Sequence, residues 1–316
     1  VYLKSVKIKV TDMWAITTYF NFAGYQSKLK NYRQFRQELG IPLLTIEFSL
    51  DGKFELTSQD ADMLIQIDGG AMLWQKERLI NIGIDALPEN VENVAWIDCD
   101  IIFDNPHWHK EAIEILQHQK IIQLFSYAFY LDKDETNPSL DKEYKKVKSS
   151  VLGVSKEGRK AYLSENEDSR KIDPLHPGFA WAARKDYLKQ NKLFDKAIIG
   201  GGDSLLVCAL FNEHKFLSDI FGFSSNMKSN YIEWGDAIYK STEGKVGLIS
   251  GNVYHLWHGD LKNRKYFQRY EDLSNIGYHP DLDICINHNG AITWKRERPD
   301  LERYMKEYFA GRREDD

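Results

Sequence analysis

Asp98 and Asp100 stand two residues apart at the end of an apolar run, Val94 to Ile97. Carboxylates at i and i+2 can reach one side when a strand end turns, and their hard oxygens suit Mg²⁺ or Mn²⁺. An ion held there would bridge the two phosphates of a nucleotide diphosphate and stabilise the charge that a departing diphosphate gains. The structural alternative is Asp98 capping a turn, with Asp100 solvated. A second cluster is Gly200-Gly201-Gly202-Asp203. Three glycines remove side chains so that a substrate can approach the backbone, and Asp203 then opens a helix from Ser204 to Phe211. The third cluster, Tyr254 to Arg264, holds His255, His258, Gly259, Lys262 and Arg264. On a strand the two imidazoles would point to opposite faces, so one of them at most would serve a given site.

The elements that must position these groups alternate between strand and helix. Trp14 to Tyr19 reads as a buried first strand, Lys30 to Leu39 as a helix stopped by Gly40, and Pro42 to Phe48 as a second strand. Met63 to Ile67 is a short third strand, Leu73 to Leu87 an amphipathic helix closed by Pro88, and Val94 to Ile97 the strand that runs into the acidic pair. A helix over His109 to Gln117 and a strand over Lys120 to Tyr127 follow. This is the grammar of an α/β fold, with a mostly parallel sheet flanked by helices. In open α/β sheets ligands bind at the carboxyl ends of strands, where Asp98 and Asp100 sit. Residues 131–174 turn polar and weakly periodic, too long for a simple connection and read as a mobile loop or a partly helical excursion. The tail, Ile292 to Asp316, carries an apolar stripe of Leu301, Tyr304, Met305 and Tyr308 and reads as a packed helix.

The run Trp74 to Gly83, leading through Val94 to Ile97 into Asp98-Cys99-Asp100, resembles the GT-A glycosyltransferases. In that family a helix bearing an Arg and an Asn-x-Gly precedes a strand ending in D-x-D. The resemblance implies a Rossmann-like GT-A domain over about residues 1–270, with a nucleotide-sugar half near 1–130, an acceptor half near 170–270, and a helical extension over 271–316. It implies donor contacts from Arg78 and Asn81, with Gly83 permitting close packing. The strand ends Thr17 to Asn21 and Thr45 to Glu47 would hold base and ribose through Thr17, Tyr19 and Glu47, with Asp68 competing for that role. Inverting members carry a Gly-rich turn followed by two acidic residues, one of them the general base. Here Ser204 follows Asp203, a departure that leaves Asp203 between base and helix cap, with base preferred. His176 to Arg184 is similar to the acceptor-side strand, and Phe179 and Trp181 would stack on a sugar or pack in the core, with Gly201 and Gly202 beside the acceptor. A late histidine is the third metal ligand in many members: His258 is the choice, His255 the alternate. Lys262, Arg264 and Arg269 would neutralise phosphate charge.

The expected activity is transfer of a sugar, with inversion, from a nucleotide-diphosphate donor (a UDP-sugar first) to a glycan or other hydroxyl acceptor, with Mn²⁺ or Mg²⁺ as cofactor. Transfer to a hydroxymethylated DNA base is a variant, and a nucleotidyltransferase a different class. The latter wants a phosphate loop after strand one, where Asn21 to Gln26 supplies only Gly24. A non-catalytic sugar-binding module would not need both the acidic pair and the late histidine. The 316 residues carry a net charge of -5 with 42% hydrophobic and 28% charged side chains, a globular composition without a global field for nucleic acid. Cys99, Cys208 and Cys285 show neither disulfide-framework nor zinc spacing. Val1 to Val10 alternates Lys with apolar residues, and no run approaches the ~18 apolar residues of a membrane span. These features point to a cytoplasmic protein.

Overall fold

The computed structural model describes residues 12–133, 135–154, 175–266 and 268–316. Val1 to Val10 and residues 155–174 of the polar stretch lie outside the described residues. The chain runs β1 (Met13–Tyr19), α1 (Gln26–Glu38), β2 (Leu43–Ser49), β3 (Met63–Asp68), α2 (Lys76–Ala86), β4 (Asn93–Ile97), β5 (Ile101–Phe103), α3 (Trp108–Leu116), β6 (Ile121–Gln123), β7 (Tyr127–Tyr130) and β8 (Val147–Ser150). It continues through β9 (Leu175–His176), β10 (Ala180–Arg184), α4 (Lys185–Asn191), α5 (Gly202–Leu210), α6 (His214–Ile220), α7 (Ser225–Thr242), β11 (Gly247–Leu248) and β12 (Asn252–His255). The last elements are α8 (Gln268–Asn275), α9 (Pro280–Asp283), the hairpin β13 (Ile284–Ile286) and β14 (Ile292–Trp294), and α10 (Pro299–Gly311).

A seven-stranded, mixed but mostly parallel sheet forms in the order β11-β6-β10-β4-β1-β2-β3. β10 runs antiparallel to both β4 and β6. Strands β2 and β4 are buried throughout and β1 at every position but Thr18, which is why they read as near-continuous apolar runs. Gly83 lets α2 sit directly on this sheet: a Cβ there would lie 2.7 Å from Ile46 and 3.0 Å from Ile16.

A second sheet, of order β5-β12-β7-β8-β9, is where the structure departs from the sequence reading. The expected strand Lys120 to Tyr127 is two strands, β6 in the first sheet and β7 in the second, and Val147–Ser150 of the polar stretch is a strand of the second sheet. Each piece is only three or four residues long, too short for periodicity to register the break. The acidic pair spans the passage between the sheets: β4 ends at Ile97 and β5 begins at Ile101.

α1 begins at Gln26, earlier than the pattern from Lys30 suggested. Its first N–H groups, those of Gln26 and Ser27, donate to the Asp315 carboxylate (both 2.8 Å), a cap that no local residue announces. Leu301 and Met305 of α10 are buried, and with Phe309 they join the core cluster that also contains Trp14, Ile16 and Trp96. Among the described residues no helix is long and apolar enough to cross a membrane.

Candidate metal and transfer site

Asp100, His255 and His258 converge. Each offers a ligand atom within 4.8 Å of the other two. His258 Nε2 lies 2.8 Å from Asp100 Oδ2 and 3.2 Å from His255 Nε2. Strand pairing creates the cluster: β12 runs antiparallel to β5 with His255 opposite Ile101, and Leu256 N–H donates to the Asp100 carbonyl at 2.8 Å. The expected opposite facing of the two rings is corrected. β12 ends at His255, so strand alternation does not extend to His258, and the following turn brings its ring back beside His255.

The donor set fits a divalent ion. Among the described residues Asp100 Oδ1, which is buried, has no hydrogen-bond partner, a costly arrangement that a cation would relieve. Burial pushes His255 well below the usual imidazole range, the direction that favours the deprotonated form a metal binds. Burial would raise Asp100, but His258 and His255 outweigh it and hold the carboxyl well below its ordinary range.

Asp98 stands outside this cluster. Its Oδ1 is 2.5 Å from Lys76 Nζ, and the same ammonium lies 3.3 Å from Asp203 Oδ2. Burial, together with Asp203 and Asp100, pushes Asp98 up to about 6 against the pull of Lys76. Burial opposes the charge on Lys76, yet Asp203 and Asp98 outweigh it and hold the ammonium well above its ordinary value. Sequence reasoning missed Lys76. The available signal was a lysine in the first turn of a helix, where the dipole disfavours a cation unless carboxylates face it.

Asp203 is not an N-cap. Gly201 takes that position with φ 89, and Asp203 lies within the first turn of α5, its carboxylate partly exposed. Gly178 leaves room for it, since a Cβ there would sit 2.6 Å from Asp203 Oδ2. The three glycines serve the protein's own side chains. Cβ atoms at Gly200 and Gly201 would lie 3.2 Å from Trp74 and 2.8 Å from Tyr270 Oη, and one at Gly202 would overlap the Glu77 carboxylate. The acceptor expectation for Gly201 and Gly202 is corrected accordingly, because their free space is occupied. Glu77 is buried, which pushes its carboxyl up to about 8 although Lys76 pulls it down.

Several residues expected at the donor make hydrogen bonds within the chain. Thr17 Oγ1 donates to the Ile97 carbonyl at 2.7 Å, binding β1 to the end of β4. Tyr19 Oη donates to Glu55 at 2.5 Å. Glu47 is buried and accepts from Glu55 N (2.6 Å), Leu56 N (3.2 Å) and Gln66 Nε2 (2.9 Å), which leaves little capacity for a base. Asn81 exchanges both of its hydrogen bonds with the Leu193 backbone, at 2.9 and 2.8 Å. Arg78 Nε donates to the Gly290 carbonyl at 2.7 Å, and exposed Asp68 accepts from Asn289 Nδ2 at 3.1 Å. Above these strand ends α10 lays Phe309 against Phe22, with ring centroids 4.8 Å apart, and parallel to Trp74 at 6.5 Å.

On the acceptor side Trp181 is fully buried, parallel to Trp96 at 6.4 Å, with Nε1 donating to the Pro177 carbonyl; it is core, not a sugar platform. Phe179, buried with φ 73, stacks on His176 at 3.6 Å and on His255 at 4.9 Å, so it braces a histidine of the cluster. Arg264 Nη2 lies 2.9 Å from His258 Nε2, and buried Arg269 donates to Tyr308 Oη at 3.0 Å. Lys262 is solvent-exposed and paired with Asp260 at 2.7 Å, away from the cluster; its short helical turn, Leu261–Arg264, turns Arg264 inward and Lys262 outward.

No family model matches the chain, and no curated protein matches it. Solved structures do. S. aureus TarS 1–349 in complex with UDP-GlcNAc is 11% identical over 94% of this chain and 70% of its own, with a TM-score of 0.44. Glucosyl-3-phosphoglycerate synthase from Mycobacterium tuberculosis, in complex with Mn²⁺, UDP and phosphoglyceric acid, is 10% identical over 86% of this chain and 81% of its own (TM-score 0.38). 4-Diphosphocytidyl-2C-methyl-D-erythritol synthase from Anaerococcus prevotii is 12% identical over 77% of this chain and 90% of its own (TM-score 0.35). Likeness at this level carries no residue-level argument, so the site is read from its own geometry.

Proposed function

We propose that this chain is a metal-dependent glycosyltransferase of the GT-A type, moving a sugar from a nucleotide-diphosphate donor to a hydroxyl acceptor. The convergence of Asp100, His255 and His258 next to the Lys76-bridged pair Asp98 and Asp203 carries the reading. A non-catalytic sugar-binding module needs no such juxtaposition. Mn²⁺ or Mg²⁺ held by Asp100, His255 and His258 supplies a counter-charge for the leaving diphosphate. Arg264, buried and 2.9 Å from His258 Nε2, adds fixed positive charge on that side. Asp203, at the positive end of α5, accepts the proton of the acceptor hydroxyl as its oxygen bonds to the anomeric carbon and the bond to diphosphate breaks. Lys76, 3.3 Å from Asp203 Oδ2, orients it. A single displacement of this kind inverts the anomeric configuration.

The donor is a UDP-sugar and the acceptor a glycan or other hydroxyl compound. The free cysteines agree with a cytoplasmic setting. A panel of UDP-, GDP-, TDP- and CMP-sugars with Mn²⁺, read by thermal shift and donor hydrolysis, tests the proposal. One donor should stabilise the protein, and EDTA should abolish its turnover. Full turnover in EDTA overturns the metal role. Release of pyrophosphate from a nucleoside triphosphate and a sugar phosphate would instead identify nucleotidyl transfer.

A further inference from the structure

His258 has a second neighbour, supplied by the end of the chain. Glu314 is 1% exposed, and its Oε1 lies 3.6 Å from His258 Nδ1. Arg312 holds that oxygen through Nε at 2.5 Å, Lys28 Nζ stands 3.8 Å from Oε2, and among the described residues Oε2 has no hydrogen-bond partner. The segment is fastened independently of the histidine. Arg313 N–H donates to Tyr25 Oη at 3.0 Å, Ser27 Oγ to the Glu314 carbonyl at 2.9 Å, and Asp315 caps α1. Gly259, directly after His258, makes room for it: with φ 84, a Cβ there would lie 2.7 Å from the Arg313 carbonyl.

The two nitrogens of a ligating imidazole have different duties. One directs its lone pair at the metal, and the other carries the proton and donates it to an acceptor that fixes the ring. Nε2 of His258 faces Asp100 and His255. Without an ion Nε2 shares its proton with the acceptor-only Asp100 Oδ2 at 2.8 Å; an ion held by all three residues would take the Nε2 lone pair in its place. With the ion bound the proton would sit on Nδ1, and Glu314 Oε1, 3.6 Å away, is the carboxylate that faces it.

We infer that Glu314 is a positioning residue of the metal centre: it takes the Nδ1–H of His258 and thereby holds Nε2 toward Asp100 and His255. This rests on the metal reading above. The test is binding of Mn²⁺ and Co²⁺ to the full chain, followed by the electron paramagnetic resonance of free Mn²⁺ and by the visible spectrum of bound Co²⁺. Glu314→Gln should weaken binding about 10–100-fold and shift the Co²⁺ bands. Asp315→Asn, which loosens the same segment without touching His258, should leave both unchanged. If Glu314→Gln does not fold, Glu314→Asp replaces it, with a smaller weakening in the same direction. Unchanged affinity and spectrum in the Glu314 variants overturn the inference while the metal reading stands. Equal weakening by Asp315→Asn also overturns it, since loss of the anchor then explains the effect. Wild-type protein that binds neither ion overturns the metal reading itself.

Discussion

Asp98 and Asp100 are separated by one residue, yet their surroundings differ in almost every respect. Asp98 closes the large sheet, pairs with Lys76 at 2.5 Å and feels Asp203, which helps push its carboxyl up to about 6. Asp100 enters the small sheet, faces two imidazoles and is held well below the usual carboxylate range. The spacing of the pair therefore does more than bring two oxygens to one ion. It lets a single turn deliver one carboxylate to a cation-bridged acid pair and the other to a histidine cluster. In the proposed reaction the first region handles the acceptor proton and the second the leaving diphosphate.

The largest effect should come from setting the two carboxylates against each other. Asp100→Asn should lose Mn²⁺ binding and cost on the order of 10³-fold or more in turnover. Asp98→Asn should keep Mn²⁺ affinity within a few-fold, as read by direct titration. Equal loss of Mn²⁺ in both variants would break the division. Next, Asp203→Asn should lower kcat about 10²–10³-fold while donor affinity stays near wild type, because only a transition-state interaction is removed. The wild-type product should carry the inverted configuration by NMR, and retention would refute the base role. His255→Ala and His258→Ala should each weaken Mn²⁺ binding to a similar extent; a silent His255→Ala would return the site to a single histidine.

Smaller effects sharpen the boundary between site and scaffold. Asn81→Ala should cost about 1–3 kcal/mol of stability in denaturant unfolding, with the donor KM unchanged, because both ends of Asn81 bind the Leu193 backbone. A donor KM that rises with little loss of stability would restore Asn81 to the site. Glu77 gives the smallest and most specific signal. Its carboxyl goes from 4.5 unfolded to about 8 folded, so the folded state binds the extra proton between those values. Stability from this group is present at low pH and is lost as pH rises toward 8. The melting temperature of the protein without added metal should fall from pH 5 to pH 8.5, and Glu77→Gln should flatten that fall.

Much of this was legible in the residues alone, for identifiable reasons. β1, β2 and β4 are buried on both faces and read as apolar runs; α2 and α10 carry stripes at helical spacing; the acidic pair follows a strand end. Each is a local pattern, written within a dozen residues. What those patterns leave out depends on partners far away in the chain. Asn81 and Arg78 have the look of ligand-binding residues until Leu193 and Gly290 are set beside them. The triple glycine suggests open space until Trp74, Tyr270 and Glu77 fill it.

By itself the sequence specified the α/β class, the strand that delivers Asp98 and Asp100, and the two histidines as candidates. Only the tertiary structure decided that both histidines join Asp100, that Lys76 bridges Asp98 and Asp203, and that Glu314 stands behind His258. The physical reason is that a ligand set is defined by distances of a few ångströms between segments far apart in the chain. Those distances are set by which strands pair and where each strand stops. Strand alternation would have put His255 and His258 on opposite faces. The end of β12 at His255, set by its pairing with β5, turned both toward one carboxylate.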